Sequence, residues 1–401
     1  MRSTTPSASA RARAVGAVLA GTLVVAAGVA ALTVGPASAR AVSLIPATVG
    51  PSLLPAAVVL QRDRSIALRT ERNAKTMMLL SSALLAQHRF PEALAWADSM
   101  VRLDSSVVSF RALRFELQVE MGQYEAADTT RRTLLLDRDH PAVAPRLARW
   151  FELRGQPDSA HRLLVAARAV ADTASTMPAE QRAWFHLRVA DFALRNGALA
   201  EAREAIRRGR AVAPADVRLA QAELRWHALD GDTTRTRALA DSLGASLDLA
   251  TSAFMAAVAR AQGNRWAMAR WLDRVERLNV ESPEPFARGW TLARLEAGAR
   301  VAETRALLER ERMIRDDVYG WDQLALARLA TGDVVGAQAA VDRALRLGTR
   351  DGNLWWHAAR VADAAGDRAR AVALARTALE INPAFHVADA AQARAFVEAS
   401  R

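Results

Sequence analysis

A short phrase built on glycine and alanine returns along this chain every 34 residues or so. It reads Gly122-Gln123-Tyr124-Glu125-Ala126-Ala127, then Gly197-Ala198-Leu199-Ala200-Glu201-Ala202. Later copies are Gly332-Asp333-Val334-Val335-Gly336-Ala337 and Gly366-Asp367-Arg368-Ala369-Arg370-Ala371. Taking the glycine as a ruler mark gives Gly122, Gly155, Gly197, Gly231, Gly263, Gly298, Gly332 and Gly366, with His88 in the glycine's place in an earlier copy. Successive gaps are 34, 33, 42, 34, 32, 35, 34 and 34 residues. A fixed period of this length marks a helical repeat array. The long gap predicts an inserted loop around Asp172 to Glu180, where Ser175, Thr176 and Pro178 stand.

Each period carries two apolar helical stretches around its mark. Before Gly332, Trp321, Leu324, Ala325 and Ala327 form one face. After it, Ala337, Ala340, Val341, Ala344 and Leu345 follow the i, i+3, i+4, i+7, i+8 spacing. Glycine suits the turn between them because a helix often ends in a left-handed residue. Alanine at Ala127, Ala160, Ala202, Ala337 and Ala371 suits a close helix crossing, where a larger side chain would push the helices apart. Pro214, Pro283 and Pro383 punctuate repeat ends.

These residues resemble the tetratricopeptide repeat. That family's unit has a bulky aromatic near its start, a small residue four positions on, a Gly-Asp-type turn, two alanines and a proline. The last copy supplies Trp355, Ala358, Ala359, Gly366-Asp367, Ala371, Ala378 and Pro383; the copy before supplies Trp321, Leu324, Ala325, Gly332-Asp333, Ala337 and Ala344. The resemblance spans roughly 74–384 and is weakest around Gly263 and Gly298. It implies an all-α, right-handed α-solenoid of about nine helix-turn-helix repeats, with an apolar helix ahead of it. The expected organisation is 1–39 signal peptide or anchor, 40–56 linker, 57–384 solenoid and 385–401 capping helix.

The N-terminus adds a location. Residues 1–13 hold Arg2, Arg11 and Arg13 and no acid, and residues 14–35 carry no charge. Pro36-Ala37-Ser38-Ala39 then offers a small-x-small site, so the segment has the form of a secretory signal with cleavage after Ala39. An uncleaved anchor is the alternative, because a helix over 14–35 would be about 33 Å long, enough to span a bilayer core. Basic residues ahead of the apolar run hold the N-terminus in the cytoplasm in either case. The repeats are therefore expected to be exported, on the periplasmic or other extracytoplasmic side.

Composition narrows the chemistry. The chain has no cysteine, which removes thiolate metal sites, cysteine nucleophiles and disulfides. No phosphate-binding loop, HExxH or Ser-His-Asp context is present. Asp137-Arg138-Asp139-His140 reads as a polar loop ahead of Pro141, and Asp230-Gly231-Asp232 as a helix–helix turn lacking the further ligands of a calcium loop. His161, His186, His227 and His357 stand singly, as surface or packing residues. Neither cofactor nor metal is expected, and the chain reads as non-enzymatic. Its net charge of +11 is arginine mixed with 43 acids, not basic runs, so nucleic acid is not the expected partner.

A ligand would occupy the concave face, lined by the first helix of each repeat. Positions about ten, six and three before each mark give Arg149, Asp191, Leu194, Arg225, Arg260, Arg288, Leu292, Arg360 and Asp363. Trp355 is expected in the core and Trp356 on the inner face, as an aromatic anchor for a ligand. An arginine-lined groove suits carboxylates through bidentate bonds, so an acidic protein or peptide partner is expected. The family's chaperone-binding members clamp a peptide C-terminus with asparagine and lysine; the asparagine position here holds Arg146, Arg188, Gln323 and His357, which does not support that ligand. The resulting expectation is an extracytoplasmic scaffold that supports an envelope complex. The alternatives are a membrane-anchored accessory subunit and a binder of anionic envelope polymers.

Overall fold

The computed structural model describes residues 74–281 and 288–400. The apolar segment, the Ala39 cleavage site, the 40–56 linker and the stretch to residue 73 lie outside the described residues, as does Pro283.

The described residues form nineteen α-helices and two short 3₁₀ turns, and no strand is found among them. Eighteen helices make nine antiparallel pairs, one per ruler mark. Repeat 1 is α1 (Ala74–Ala86) with α2 (Phe90–Leu103); repeat 2 is α3 (Val108–Glu120) with α4 (Tyr124–Arg132). Repeat 3 is α5 (Ala144–Leu153) with α6 (Pro157–Thr173), and repeat 4 is α7 (Ala179–Arg195) with α8 (Leu199–Val212). Repeats 5 and 6 are α9 (Val217–Leu229) with α10 (Thr233–Leu243), and α11 (Leu249–Ala261) with α12 (Arg265–Glu281). Repeats 7 to 9 are α13 (Arg288–Glu296) with α14 (Val301–Glu311), α15 (Val318–Ala330) with α16 (Val334–Leu345), and α17 (Gly352–Ala364) with α18 (Arg368–Ile381). A final helix, α19 (Asp389–Glu398), caps the stack.

The sequence marks do the local work expected of them. Every marked glycine has positive φ, between +65° and +85°, and His88 adopts +55° in the same role. These residues end the first helix of each pair in the left-handed conformation that glycine tolerates best. The turn then caps the second helix. Asp232, Asp333 and Asp367 each accept a hydrogen bond from the backbone N–H three residues on, at 2.9 Å. Ala127, Ala160, Ala202, Ala337 and Ala371 have no exposed surface, as close helix crossings require.

Repeat 6 departs from this pattern. Met268 stands where other copies carry alanine and is only partly buried. Val275 is the one residue of α12 that is fully buried. Trp266 at its start stays 69% exposed. The weak sequence match of this copy goes with a more exposed second helix that still packs along its partner.

The long gap is not an inserted loop. The extra residues lengthen α6 and α7 to 17 residues each, and only 174–178 connect them. Ala171, Met177 and Phe185 bury together over this junction, and Asp172 bonds His186 at 2.8 Å. Burial of these apolar groups draws the residues into helix that a polar insertion would have left outside.

The array coils back on itself. The turn of repeat 2 sits on the loop before repeat 8, where Asp316 N–H donates to the Met121 carbonyl at 2.9 Å and Arg315 bonds Glu120 at 2.7 Å. The turn of repeat 3 sits on the loop before repeat 9, where Thr349 donates to the Leu153 carbonyl at 2.6 Å. The turn of repeat 4 meets Asn382, ahead of α19. In each case the loop donates to carbonyls left open at the end of a first helix. Val318 also joins Phe115, Leu134, Trp150 and Leu153 in one apolar cluster, so the seam is packed as well as hydrogen-bonded.

Candidate functional site: the inner face

The first helices of consecutive repeats turn charged side chains inward, and the coiling brings them into three clusters. In the first, Arg288 pairs with Glu311 at 2.6 Å and with Asp317, and Arg315 pairs with Asp317 at 3.1 Å. Burial pushes the Glu311 carboxyl up, against the pull of Arg288. Asp317 is held below the usual carboxylate range, because Arg288 and Arg315 outweigh the burial that opposes its charge.

The second cluster lies between α5 and α7. Glu152 Oε2 accepts from Arg149 at 3.2 Å and from Arg195 at 2.8 Å. One turn earlier on α7, Asp191 accepts from Arg225 of α9 at 2.9 Å, while Arg188 stands 4.0 Å from the other Asp191 oxygen. The Arg149 guanidinium also lies 5.2 Å from the centre of the Tyr319 ring, across the coil from repeat 3 to repeat 8. Tyr319 in turn bonds Asp351 at 3.2 Å. A small crevice opens beside this cluster, lined by Glu152, Phe192, Arg195, Tyr319 and Arg350 among others.

The third cluster closes the C-terminal end. Arg260 pairs with Glu296 at 3.3 Å and with Asp389 of the capping helix at 2.8 Å. His386 lies 3.4 Å from Glu296. His357 Nδ1 lies 3.0 Å from both oxygens of Asp322. Burial disfavours the imidazolium of His357, but the Asp322 carboxylate outweighs it and the basicity rises.

The sequence-derived residues divide accordingly. Arg149, Asp191, Arg225, Arg260 and Arg288 all hold partners within the chain. The structure brings Asp191 and Arg225 together as one pair. Leu194 is buried in an apolar cluster, and Leu292 is partly buried. Arg360 is exposed and makes no ion pair or hydrogen bond to a described residue, while Asp363 pairs outward with Arg368 at 2.8 Å.

The expectation for the tryptophan pair is reversed. Trp356 is 4% exposed, inside the cluster of Ala375, Ala378 and Phe385, with its ring edge-on to Phe396 of α19 at 5.9 Å. Trp355 is the less buried of the two, and its indole donates to the Thr349 carbonyl at 2.9 Å. The cause is the cap: α19 covers the inner side of α17, so the face expected to be open is filled.

The register that selects Arg149 also selects Glu152, three residues before Gly155. Asp389, Tyr319 and Arg195 carried no such signal, since their roles depend on contacts between successive coils. Elsewhere, Asp137 is engaged by Arg111 at 3.0 Å, and His140 accepts from the Ala142 backbone at 3.1 Å. Asp230-Gly231-Asp232 is a turn between α9 and α10.

No family model matches this chain, and no curated protein matches it. Among solved structures, it is similar to a chain of the APC/C hetero-tetramer Cut9-Hcn1, at 13% identity over 85% of this chain and 59% of that one, with a TM-score of 0.45. The match thus spans less than two thirds of that chain's length. A tetratricopeptide repeat protein from Parabacteroides merdae is similar at 14% identity over 64% of this chain and 96% of that one, with a TM-score of 0.38. Yeast Tom70 is similar at 12% identity over 86% of this chain and 92% of that one, with a TM-score of 0.37. The TPR-like assignment rests on the nine helix pairs and their left-handed turns, which stand on this chain's own geometry.

Proposed function

We propose that this protein is a non-enzymatic interaction scaffold on the extracytoplasmic side of a cell envelope, and that it supports the assembly or stability of a complex there. The observation that carries the reading is the inner face. Consecutive first helices supply a row of arginines, of which Arg360 remains exposed and makes no ion pair or hydrogen bond to a described residue. An acidic protein or peptide segment is the complementary ligand, because guanidinium binds carboxylate bidentately. Export rests on the N-terminal charge and apolar pattern and on the Ala37-Ser38-Ala39 site.

A photo-crosslinking residue placed at Arg360, with a matched one at Arg207, tests the inner-face reading. Arg207 is exposed on α8 and serves as the comparison. A reproducible envelope protein captured from position 360 and not from 207 is the expected result. Equal capture from both, or none from 360, contradicts it. N-terminal sequencing of the native protein separates the exported form, which starts at Arg40, from the anchored form, which keeps residues 14–35.

A further inference from the structure

The second cluster is not balanced in charge. Arg149, Arg188, Arg195 and Arg225 meet only Glu152 and Asp191 in ion-pair contact. Two neighbouring acids do not restore the balance. Glu120 is engaged by Arg315 at 2.7 Å, and Asp351 caps α17 and takes the Tyr319 hydroxyl. Glu152 uses one oxygen for both of its arginines.

Arg188 is the odd member. It makes no hydrogen bond to any described residue, and its nearest carboxylate oxygen is 4.0 Å away, already shared through Asp191 with Arg225. Its side chain sits two helical turns before Arg195 on α7, with Asp191 between them, so all three share one face. Burial, and then repulsion from Arg195, make the charged form of Arg188 costly.

Exposure locates the open space. Arg149, Arg188 and Arg195 keep 28%, 24% and 37% of their side-chain surface open. Desolvation is nonetheless the largest influence on each, opposing its charge. Part of each guanidinium side chain is therefore left open within the cluster. Guanidiniums gathered in such a place cost energy unless a counter-charge accompanies them.

We propose that the arginine cluster between α5 and α7 is an oxyanion seat, in which Arg188, with Arg149 and Arg195 beside it, binds a phosphate or carboxylate group. A crevice lined by Glu152, Arg195 and Tyr319 adjoins the cluster. This inference gives a chemistry to the inner face and rests on the reading of that face as the ligand side. It differs in position from Arg360, which lies on α17.

The test uses the exported chain and inorganic phosphate or succinate, at ionic strength matched with sodium chloride. Phosphate, succinate or both are expected to raise Tm above the chloride control and to give a saturable heat of binding. Response to phosphate alone identifies a tetrahedral oxyanion; response to succinate as well identifies carboxylates of an acidic partner. Arg188→Gln is expected to weaken binding at least tenfold and also to raise Tm without added anion, since it removes an unpaired charge. A residue with a merely structural role would lower Tm when replaced. Arg188→Lys keeps the charge without the fork, is expected to bind several-fold more weakly, and serves if Arg188→Gln does not fold. Arg360→Gln is expected to bind like the parent. The proposal is overturned if neither anion acts beyond chloride, or if both Arg188 variants bind as the parent does. Crosslinking from position 360 stands apart: partner capture with no anion effect removes the seat and leaves the scaffold.

Discussion

Asn382 donates its side-chain amide to the carbonyls of Leu194, at 3.2 Å, and Arg195, at 3.0 Å, across 188 and 187 residues of chain. One buried amide thus ties the end of repeat 9 to the end of α7 and fixes where the capping helix begins. Asn382→Ala leaves both carbonyls without that donor. It is expected to cost about 1–3 kcal/mol, since buried acceptors lose their partner. Urea unfolding of the variant measures this, and an unchanged midpoint would show the contact to be incidental.

The seam also separates glycines that look alike in sequence. Gly155 and Gly231 both hold positive φ, at +66° and +85°. A Cβ on Gly155 would overlap the Gly348 carbonyl, whereas one on Gly231 meets nothing within 4 Å. Gly231→Ala is expected to cost about 1–2 kcal/mol for the left-handed backbone alone. Gly155→Ala adds an overpacking penalty and is expected to cost about 2–4 kcal/mol. Thermal melts of the two variants, run side by side, check the order.

Two histidines are expected to give stability opposite dependences on pH. The basicity of His357 is raised, so the folded state binds its proton more tightly than the unfolded chain does. Its contribution is full below about pH 6.5, the unfolded value, and is lost as pH rises through the folded value. The basicity of His186 is lowered, chiefly by burial, with Asp172 opposing. Its contribution is present above about pH 6.5 and is lost as pH falls towards the folded value. Denaturation midpoints from pH 5 to 9 for His357→Gln and His186→Gln check this. The first should flatten the alkaline side and the second the acid side.

The tryptophan pair gives a test of the cap. Trp356 is buried with its indole N–H unpartnered, while the Trp355 N–H is bonded to Thr349. Trp355→Phe is therefore expected to cost about 1 kcal/mol more than Trp356→Phe, despite the deeper burial of Trp356. Trp356→Ala, which opens a cavity against Phe396, is expected to cost about 3–5 kcal/mol. Chemical denaturation with tryptophan emission as the probe reads all three.

The ring of repeats was legible because its signal is local. Gly332, Asp333 and Ala337 encode a turn, a cap and a crossing within six residues, so periodicity alone places α15 and α16. Ser175, Thr176 and Pro178 do lie in the short connection, but the extra length of the 42-residue gap goes into the flanking helices, because the burial of Ala171 and Phe185 is decided by neighbours. The inner face was half legible. Register placed Arg149, Asp191, Arg225, Arg260 and Arg288 inward, but their partners Asp389 and Tyr319 come from one coil away. Trp356 was misplaced for the same reason: what covers it is α19, and no repeat period announces a cap.

Closure of the coil on itself creates the seam and brings charged groups of distant repeats together. The chain has no native cysteine, so spin labels can be placed at will. Gln123 and Met313 are exposed on opposite sides of the first seam contact. Electron–electron double resonance between labels at these positions is predicted to give one short, narrow distance distribution, independent of protein concentration once unlabelled chain is added in excess. A long or broad distribution would show an open solenoid and contradict the closed coil on which the inner-face chemistry depends.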